Sequence, residues 1–148
     1  MTVDVQTEIE IERPCTEVAS YATNPDNATA WYENIESVAW VTEKPLAIGS
    51  QFAFVARFLG RRLAYTYEVR EHVSGERLVM STSDGPFPME TTYTWHETES
   101  RRTRMTLRNR GEPSGFSKLA APMMELAMRR ANRKDLRRLK QILESSGD

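Results

Sequence analysis

Residues 114–144, SGFSKLAAPMMELAMRRANRKDLRRLKQILE, decide the fold because the hydrophobic period changes there from two residues to about 3.6. Apolar side chains recur three or four residues apart, which is the spacing of one face of an α-helix. That face consists of Phe116, Leu119, Ala120, Met123, Met124, Ala127, Met128, Ala131, Leu136, Leu139 and Leu143. The pattern predicts one helix of about 30 residues, roughly 45 Å long. Pro122 interrupts it, and we expect a kink or a separate first turn there.

The chain before this helix alternates with a period of two, as half-buried β-strands do. The predicted strands cover residues 3–12, 37–42, 50–59, 62–72, 77–83, 87–96 and 101–110. Gly60-Arg61 and Ser74-Gly75 supply short turns between neighbouring strands. Short connections favour antiparallel neighbours, so we expect a meander.

Two prolines favour short helices between the first and second strands. Pro14 ends the first strand and suits the first turn of a helix that runs to about Ala22. Asn24 can cap a second helix that begins at Pro25 and ends near Trp31-Tyr32.

The order of the elements predicts an α+β fold, because strands and helices are segregated along the chain. We expect a curved, seven-stranded antiparallel sheet with two short helices after its first strand. The long C-terminal helix is the one element long enough to cover the apolar concave face. A chain of 148 residues fits one core, and we expect residues 1–148 to form a single domain.

Charge is distributed unevenly along the chain. Residues 1–100 carry 7 basic and 16 acidic side chains, whereas residues 101–148 carry 13 basic and 5 acidic ones. The outward face of the first strand bears Asp4, Glu8, Glu10 and Glu12. The outward face of the last strand bears Arg102, Arg104, Arg108 and Arg110. Opposite charges on neighbouring strands attract each other, so the pattern predicts that the first strand pairs with the last.

A second basic cluster lies on the long helix. It consists of Arg129, Arg130, Arg133, Lys134, Arg137, Arg138 and Lys140. It fits a solvated face favoured by the helix dipole, or a patch for RNA, the ribosome or an acidic membrane. Without interleaved aromatic residues or a nucleic-acid motif, nucleic acid is not the favoured partner.

Residues typical of metal, cofactor or nucleophile chemistry are nearly absent. His72 and His96 have no metal-ligand spacing, and no glycine-rich phosphate loop follows a strand, so we expect neither metal nor cofactor. Cys15 is the single cysteine, which excludes an internal disulfide and favours a cytoplasmic location. We expect no secretory signal, and no apolar run approaches the length of a membrane span. Nothing distinguishes a monomer from a dimer.

Several segments resemble the START-like (SRPBCC) superfamily, and in particular its bacterial polyketide cyclase/dehydrase-type members. They are Ile11-Glu12-Arg13-Pro14, Asn24-Pro25 before Trp31, Ile48-Gly49-Ser50, Gly85-Pro86-Phe87-Pro88-Met89, residues 110–116 and residues 132–140. The resemblance spans essentially the whole chain and implies the helix-grip fold. These segments are turns, strand starts and packing positions, so no catalytic residue is implied.

The resemblance also implies a cavity between the sheet and the long helix. The expected lining consists of Trp31, Phe52, Phe54, Phe58, Tyr65, Tyr67, Met80, Met89, Thr91, Tyr93, Trp95, Met105, Leu107, Asn109, Phe116, Met123, Met124 and Met128. Aromatic and methionine side chains with a few polar tips are typical of small-molecule sites, although they also fill solid cores. A kink at Pro122 would widen the entrance, and we expect Trp31-Tyr32 and residues 85–89 near the mouth.

Three functions follow as hypotheses. The first is binding or transport of a small hydrophobic ligand, such as a lipid, polyketide or isoprenoid. The second is a polyketide aromatase/cyclase, in which Tyr65, Tyr67, Tyr93 or Asn109 acts on a carbonyl and Asp135 contributes. The third is an interaction module that uses the basic helix face.

Overall fold

Seven strands form one antiparallel sheet in the computed structural model, which describes residues 2–116 and 120–145. The elements are β1 (Val3–Ile11), α1 (Cys15–Thr23), a 3-10 turn (Pro25–Asn27), α2 (Ala28–Trp31), β2 (Ile35–Trp40), β3 (Gln51–Phe58), β4 (Arg61–Val73), β5 (Arg77–Asp84), β6 (Met89–Glu97), β7 (Thr103–Gly111) and α3 (Ala121–Ser145). The strands lie in the order β1-β7-β6-β5-β4-β3-β2. The predicted α+β helix-grip fold is therefore confirmed.

The sheet curves into a half-barrel around the inner face of α3. Long strand β4 contains register shifts between Thr66 and Tyr67 and between Val69 and Glu71, where it pairs with β5. Such bulges bend a strand and increase its twist, which helps the sheet to wrap.

The first and last strands pair as the charge pattern predicts. Asp4 lies opposite Arg110 in the register, and Glu10 lies opposite Arg104. The ion pairs cross diagonally: Arg108 donates to both carboxylate oxygens of Asp4, with Nε–Oδ1 at 2.8 Å. Arg110 instead binds Glu90 on β6, at 2.8 Å. These pairs are half-exposed and screened by water, so they favour this strand order more than they stabilise the fold.

Both short helices lie where the prolines predict them. Oδ1 of Asn24 accepts a hydrogen bond from the Asp26 N–H at 3.1 Å, and Pro25 follows as the first residue of the 3-10 turn. The second helix is thus divided into this turn and α2.

The long helix begins later than the sequence predicts. Residues 114–116 are not helical, and α3 starts at Ala121. Pro122 therefore occupies the first turn, where a missing N–H leaves no intrahelical bond unmade. Of the two expectations for Pro122, the first turn agrees with this helix start, whereas a kink within a longer helix does not. Gly115 has φ of +86°, which is incompatible with continuing a right-handed helix. Leu119, part of the predicted stripe, lies outside the described residues.

Helix α3 packs along the open edge of the sheet. Its buried face contains Met124, Asn132, Asp135, Leu136, Leu139 and Leu143. Near its start, Oε2 of Glu125 accepts a hydrogen bond from the Asp4 N–H at 3.0 Å. Near its end, Oε2 of Glu144 accepts one from the Glu12 N–H at 2.9 Å. These carboxylates use the N–H groups of Asp4 on edge strand β1 and of Glu12 just after it, which another strand could otherwise pair with. Over residues 2–116 and 120–145, no helix is both long and apolar enough to cross a membrane.

Two leucines of α3 provide a matched test of this packing. Leu139 is fully buried, whereas Leu126 is 62% exposed. We expect Leu139→Ala to lower the free energy of unfolding by about 2–5 kcal/mol, because it removes buried carbons and leaves a void. Leu126→Ala should change it by about 0.5 kcal/mol or less. Urea denaturation of both variants measures this, and equal losses would contradict the assigned helix face.

Candidate ligand cavity

A cavity of about 180 Å³ lies between the concave face of the sheet and α3. An engineered apolar cavity of about 150 Å³ in another protein admits benzene, so this space is large enough for a small aromatic molecule. Of the predicted lining, the structure brings together Trp31, Phe52, Phe54, Phe58, Tyr65, Tyr67, Met80, Met89, Thr91, Tyr93, Asn109, Phe116, Met124 and Met128.

Four predicted residues do not line the cavity. Trp95, Met105 and Leu107 are buried in the core cluster that also contains Leu139 and Leu143. They were placed at the cavity because strand alternation identifies the inner face but not how deep a position lies beneath the helix. Met123 is 55% exposed, because α3 turns the neighbouring Met124 inward instead.

The interior is divided along α3 into a hollow part and a filled part. The helix residues that line the cavity are Met124, Met128, Ala131, Asn132 and Asp135. Further along, Leu136, Leu139 and Leu143 belong to the solid core. The apolar stripe therefore lines a cavity in the first part of α3 and fills a packed core in the second part, so each interpretation holds for one part of the helix.

Aromatic rings form much of the cavity wall on β3 and β4. The ring centroid of Tyr65 lies 5.5 Å from that of Phe54 and 5.1 Å from that of Tyr67. Phe54 and Tyr67 meet edge to face at 6.0 Å. Such tilted contacts are the favourable arrangement of aromatic side chains, and they hold the rings in fixed positions.

A chain of hydrogen bonds crosses the cavity from the sheet to the helix. The Tyr67 hydroxyl lies 2.8 Å from Thr91 Oγ1, and Thr91 donates to Asn109 Oδ1 at 2.5 Å. Asn109 Nδ2 then donates to Asn132 Oδ1 at 3.2 Å. Burial raises the pKa of Tyr67 to about 12, so its hydroxyl is protonated at neutral pH and serves as a donor. Sequence analysis missed Asn132, although a polar residue between Met128 and Leu136 on the apolar stripe was a usable signal.

A second cluster of polar side chains lies where α2 meets the sheet. The hydroxyls of Tyr32 and Tyr93 are 2.6 Å apart, and the Trp31 ring packs against both, with centroid separations of 4.2 Å and 5.8 Å. Burial raises the pKa of both tyrosines, so both hydroxyls keep their protons. The expectation that Trp31-Tyr32 lies near the mouth did not anticipate this direct contact with Tyr93.

Asp135 is the buried carboxyl of the cavity, with only 3% of the residue exposed. Its Oδ1 accepts a hydrogen bond from the Glu33 N–H at 3.1 Å. Burial raises the pKa of Asp135 to about 7, and the Glu33 N–H bond opposes the rise. The nearby charges of Glu33 and Lys134 act in opposite directions, raising and lowering it respectively. A carboxyl that titrates near neutrality can both give and accept a proton.

An outer cleft lies on the other side of the same wall. Trp31, Tyr32 and Asp135 line both the cavity and this cleft between α2 and α3. Part of the basic helix cluster is used here for structure: Lys134 pairs with Glu33 at 2.9 Å, and Arg138 Nε donates to the Ala30 carbonyl at 3.3 Å. These contacts tie α2 to α3 and favour a structural role for this part of the cluster.

The half-barrel, the covering helix and the space between them define a helix-grip protein of the START-like (SRPBCC) class. The sequence profile of the polyketide cyclase/dehydrase and lipid transport family matches residues 2–144, so the chain belongs to that family. The resemblance stated from the sequence is confirmed. No protein with a curated description matches the sequence.

Solved structures share the fold over nearly their whole length. The protein TTHA0849 from Thermus thermophilus is 19% identical, with a TM-score of 0.83 over 98% of this chain and 99% of that one. A START superfamily protein from Mycobacterium smegmatis is 12% identical, with a TM-score of 0.82 over 96% and 97%. The Zhui aromatase/cyclase from a Streptomyces species is 15% identical, with a TM-score of 0.75 over 97% and 94%. At these identities the likeness establishes the fold alone.

The Asp135 carboxyl gives stability a defined pH dependence. Its folded pKa of about 7 lies above the ordinary aspartate pKa of about 3.9, so the folded protein binds this proton more tightly than the unfolded chain. The associated stability is present below about pH 4 and is lost as the pH rises to about 7. Asp135→Asn keeps an oxygen acceptor for the Glu33 N–H but cannot ionise. We therefore expect its free energy of unfolding, relative to wild type, to increase by about 1–3 kcal/mol across this range.

Urea denaturation at a series of pH values measures this difference. Asp84→Asn is the control, because Asp84 is exposed and lies away from the cavity. It shows what the same substitution does at a position outside the cavity. A pH-independent difference for Asp135→Asn would contradict the raised pKa.

Proposed function

We propose that this protein binds a small hydrophobic ligand in the cavity between the sheet and α3. The observation that carries the proposal is the 180 Å³ space with its aromatic walls. Protein interiors normally contain few voids larger than a water molecule. A hydrophobic ligand that enters the space would remove the apolar walls, and its own apolar surface, from water.

The lining favours an aromatic or alicyclic molecule, such as a polyketide-derived ring, an isoprenoid or a short lipid. Aromatic rings cover β3 and β4, and flexible Met80, Met89, Met124 and Met128 adapt to different shapes. The half-exposed Glu90–Arg110 pair belongs to the same lining and marks where it reaches solvent. The family description, which includes lipid transport, supports a binding or carrier role. As part of the same proposal, the free Cys15 agrees with a cytoplasmic location.

A cavity-filling variant tests the proposal. Ala56 lines the cavity, whereas Ala64 is exposed on the outer face of β4. We expect Ala56→Leu to weaken binding of ethylbenzene at least tenfold, because the larger side chain occupies the ligand's space. Ala64→Leu should bind as wild type does. Isothermal titration gives the affinities, and native mass spectrometry of the freshly purified protein shows any retained ligand. An empty wild-type protein that binds no hydrophobic probe would refute the proposal.

Catalysis of a polyketide cyclase type is the second candidate, and Asp135 is the observation that favours it. This buried carboxyl titrates near pH 7 and lies close to the Tyr32–Tyr93 pair, so a proton donor and acceptor is present at the cavity wall. The Zhui structure is itself that of an aromatase/cyclase. In this role Asp135 would move a proton at the ligand while Tyr93 polarises a carbonyl.

Turnover of a synthetic poly-ketone distinguishes catalysis from binding alone. If the protein is an enzyme, we expect Asp135→Asn to lower kcat about 10²-fold or more and to remove the pH dependence of kcat near pH 7. Tyr93→Phe should lower kcat as well. Tyr21→Phe, a tyrosine outside the cavity lining, is the control. Unchanged turnover in Asp135→Asn would exclude this carboxyl from the chemistry.

A further inference from the structure

The outer cleft between α2 and α3 has a volume of about 540 Å³ and a more polar lining than the cavity. Helix α3 contributes Lys134, Arg137, Arg138 and Gln141 to it. These positions are three or four residues apart, so they lie on one face of the helix. Helix α2 contributes Thr29, whose hydroxyl is a further hydrogen-bond donor. The proposed binding of a hydrophobic ligand in the cavity uses none of these five side chains.

Positive charge exceeds negative charge in this cleft. Its cations are Lys134, Arg137 and Arg138, and its acidic residues are Glu33 and Asp135. Glu33 pairs with Lys134 at 2.9 Å, which cancels one charge of each sign. Asp135 is buried, and burial raises its pKa to about 7, so it carries at most part of a negative charge at neutral pH. The three cations less the charge of Glu33 leave two positive charges when Asp135 holds its proton.

The two arginines of the cleft retain most of their hydrogen-bond donors. Arg137 is exposed and has no hydrogen bond or ion pair within residues 2–116 and 120–145. Arg138 donates through Nε to the Ala30 carbonyl at 3.3 Å, and its two Nη groups carry four further N–H donors. Guanidinium groups bind oxyanions through paired N–H donors, so two adjacent arginines in a concave site favour an anion with several oxygens.

We propose that the outer cleft is a second binding site, which takes a phosphate monoester through Arg137 and Arg138. A phosphate monoester carries close to two negative charges at pH 7, which matches the excess positive charge of the cleft. The phosphodiester of a nucleic acid carries one charge per phosphate and matches it less well. A free phosphorylated compound and the headgroup of phosphatidic acid both present the required group. The site is separate from the cavity and does not depend on the cavity being occupied.

Inorganic phosphate is the probe for this site, at pH 7 and a constant ionic strength of about 0.15 M, which screens distant charges. Its titration should shift the NMR signals of Arg138 and Thr29. Arg137→Gln breaks no contact within the described chain, and it should weaken phosphate binding about tenfold because a charge-assisted hydrogen bond is lost. The double variant Arg137→Gln/Arg138→Gln should weaken it further.

Arg130→Gln/Arg133→Gln is the matched control, because it removes two exposed arginines from the same helix but outside the cleft. It should bind phosphate within about twofold of wild type. Absence of phosphate binding, or an equal loss in both double variants, would overturn the site whether or not the cavity binds ethylbenzene.

Vesicles distinguish the two sources of the phosphate group. Phosphatidylcholine vesicles that contain phosphatidic acid, a monoester, are compared by cosedimentation with vesicles that contain phosphatidylglycerol, a diester. Preference for phosphatidic acid that is lost in Arg137→Gln supports a lipid headgroup as the ligand. Binding of inorganic phosphate without binding to either vesicle supports a free phosphorylated compound. Equal binding to both vesicles would overturn the selectivity for a monoester.

Discussion

The hold of α3 on edge strand β1 is the constraint on which the interior depends. Glu125 and Glu144 accept hydrogen bonds from the N–H groups of Asp4 and Glu12, one at each end of the strand. Glu144 lies 19 positions after Glu125, which is about 28 Å along a helix. Glu12 lies 8 positions after Asp4, which is about 27 Å along an extended strand. Because these lengths match, helix and strand run side by side in the same direction, and the rest of the sheet curves away from that line.

A continuous helix against a curved sheet cannot touch it equally along its whole length. From Leu136 onward, α3 packs into the solid core with Trp95 and Met105. Between Met124 and Asp135 its inward side chains line the cavity instead. The short side chain of Ala131, at the middle of this stretch, adds to the space. The same helix thus supplies stability from one half and binding surface from the other.

The fold was predictable because the sequence patterns that determine its elements are local. The residues of the site were predictable only in part. Alternation in the strands, the Asn24-Pro25 cap and the charges of the outer strands each depend on neighbouring residues, and each placed its element correctly. How deep a residue lies beneath the helix is not a local property of the sequence. Strand alternation alone could therefore not show that Tyr93 lines the cavity whereas Trp95 and Leu107 are buried outside it. The start of α3 was misplaced because Phe116 continues the helical spacing although it is buried in a non-helical segment. The hydrogen-bond chain that ends at Asn132 joins residues that are distant in sequence, so no local pattern predicts it.

The wall shared by the cavity and the outer cleft is a single layer of side chains. Trp31, Tyr32 and Asp135 face both spaces, and α2, which carries Trp31, is only four residues long. Its attachment to α3 consists of contacts made by Asp135, Lys134 and Arg138. Displacement of this one helical turn would therefore join the cavity to the outer cleft, through a local opening that leaves every strand pairing of the sheet intact.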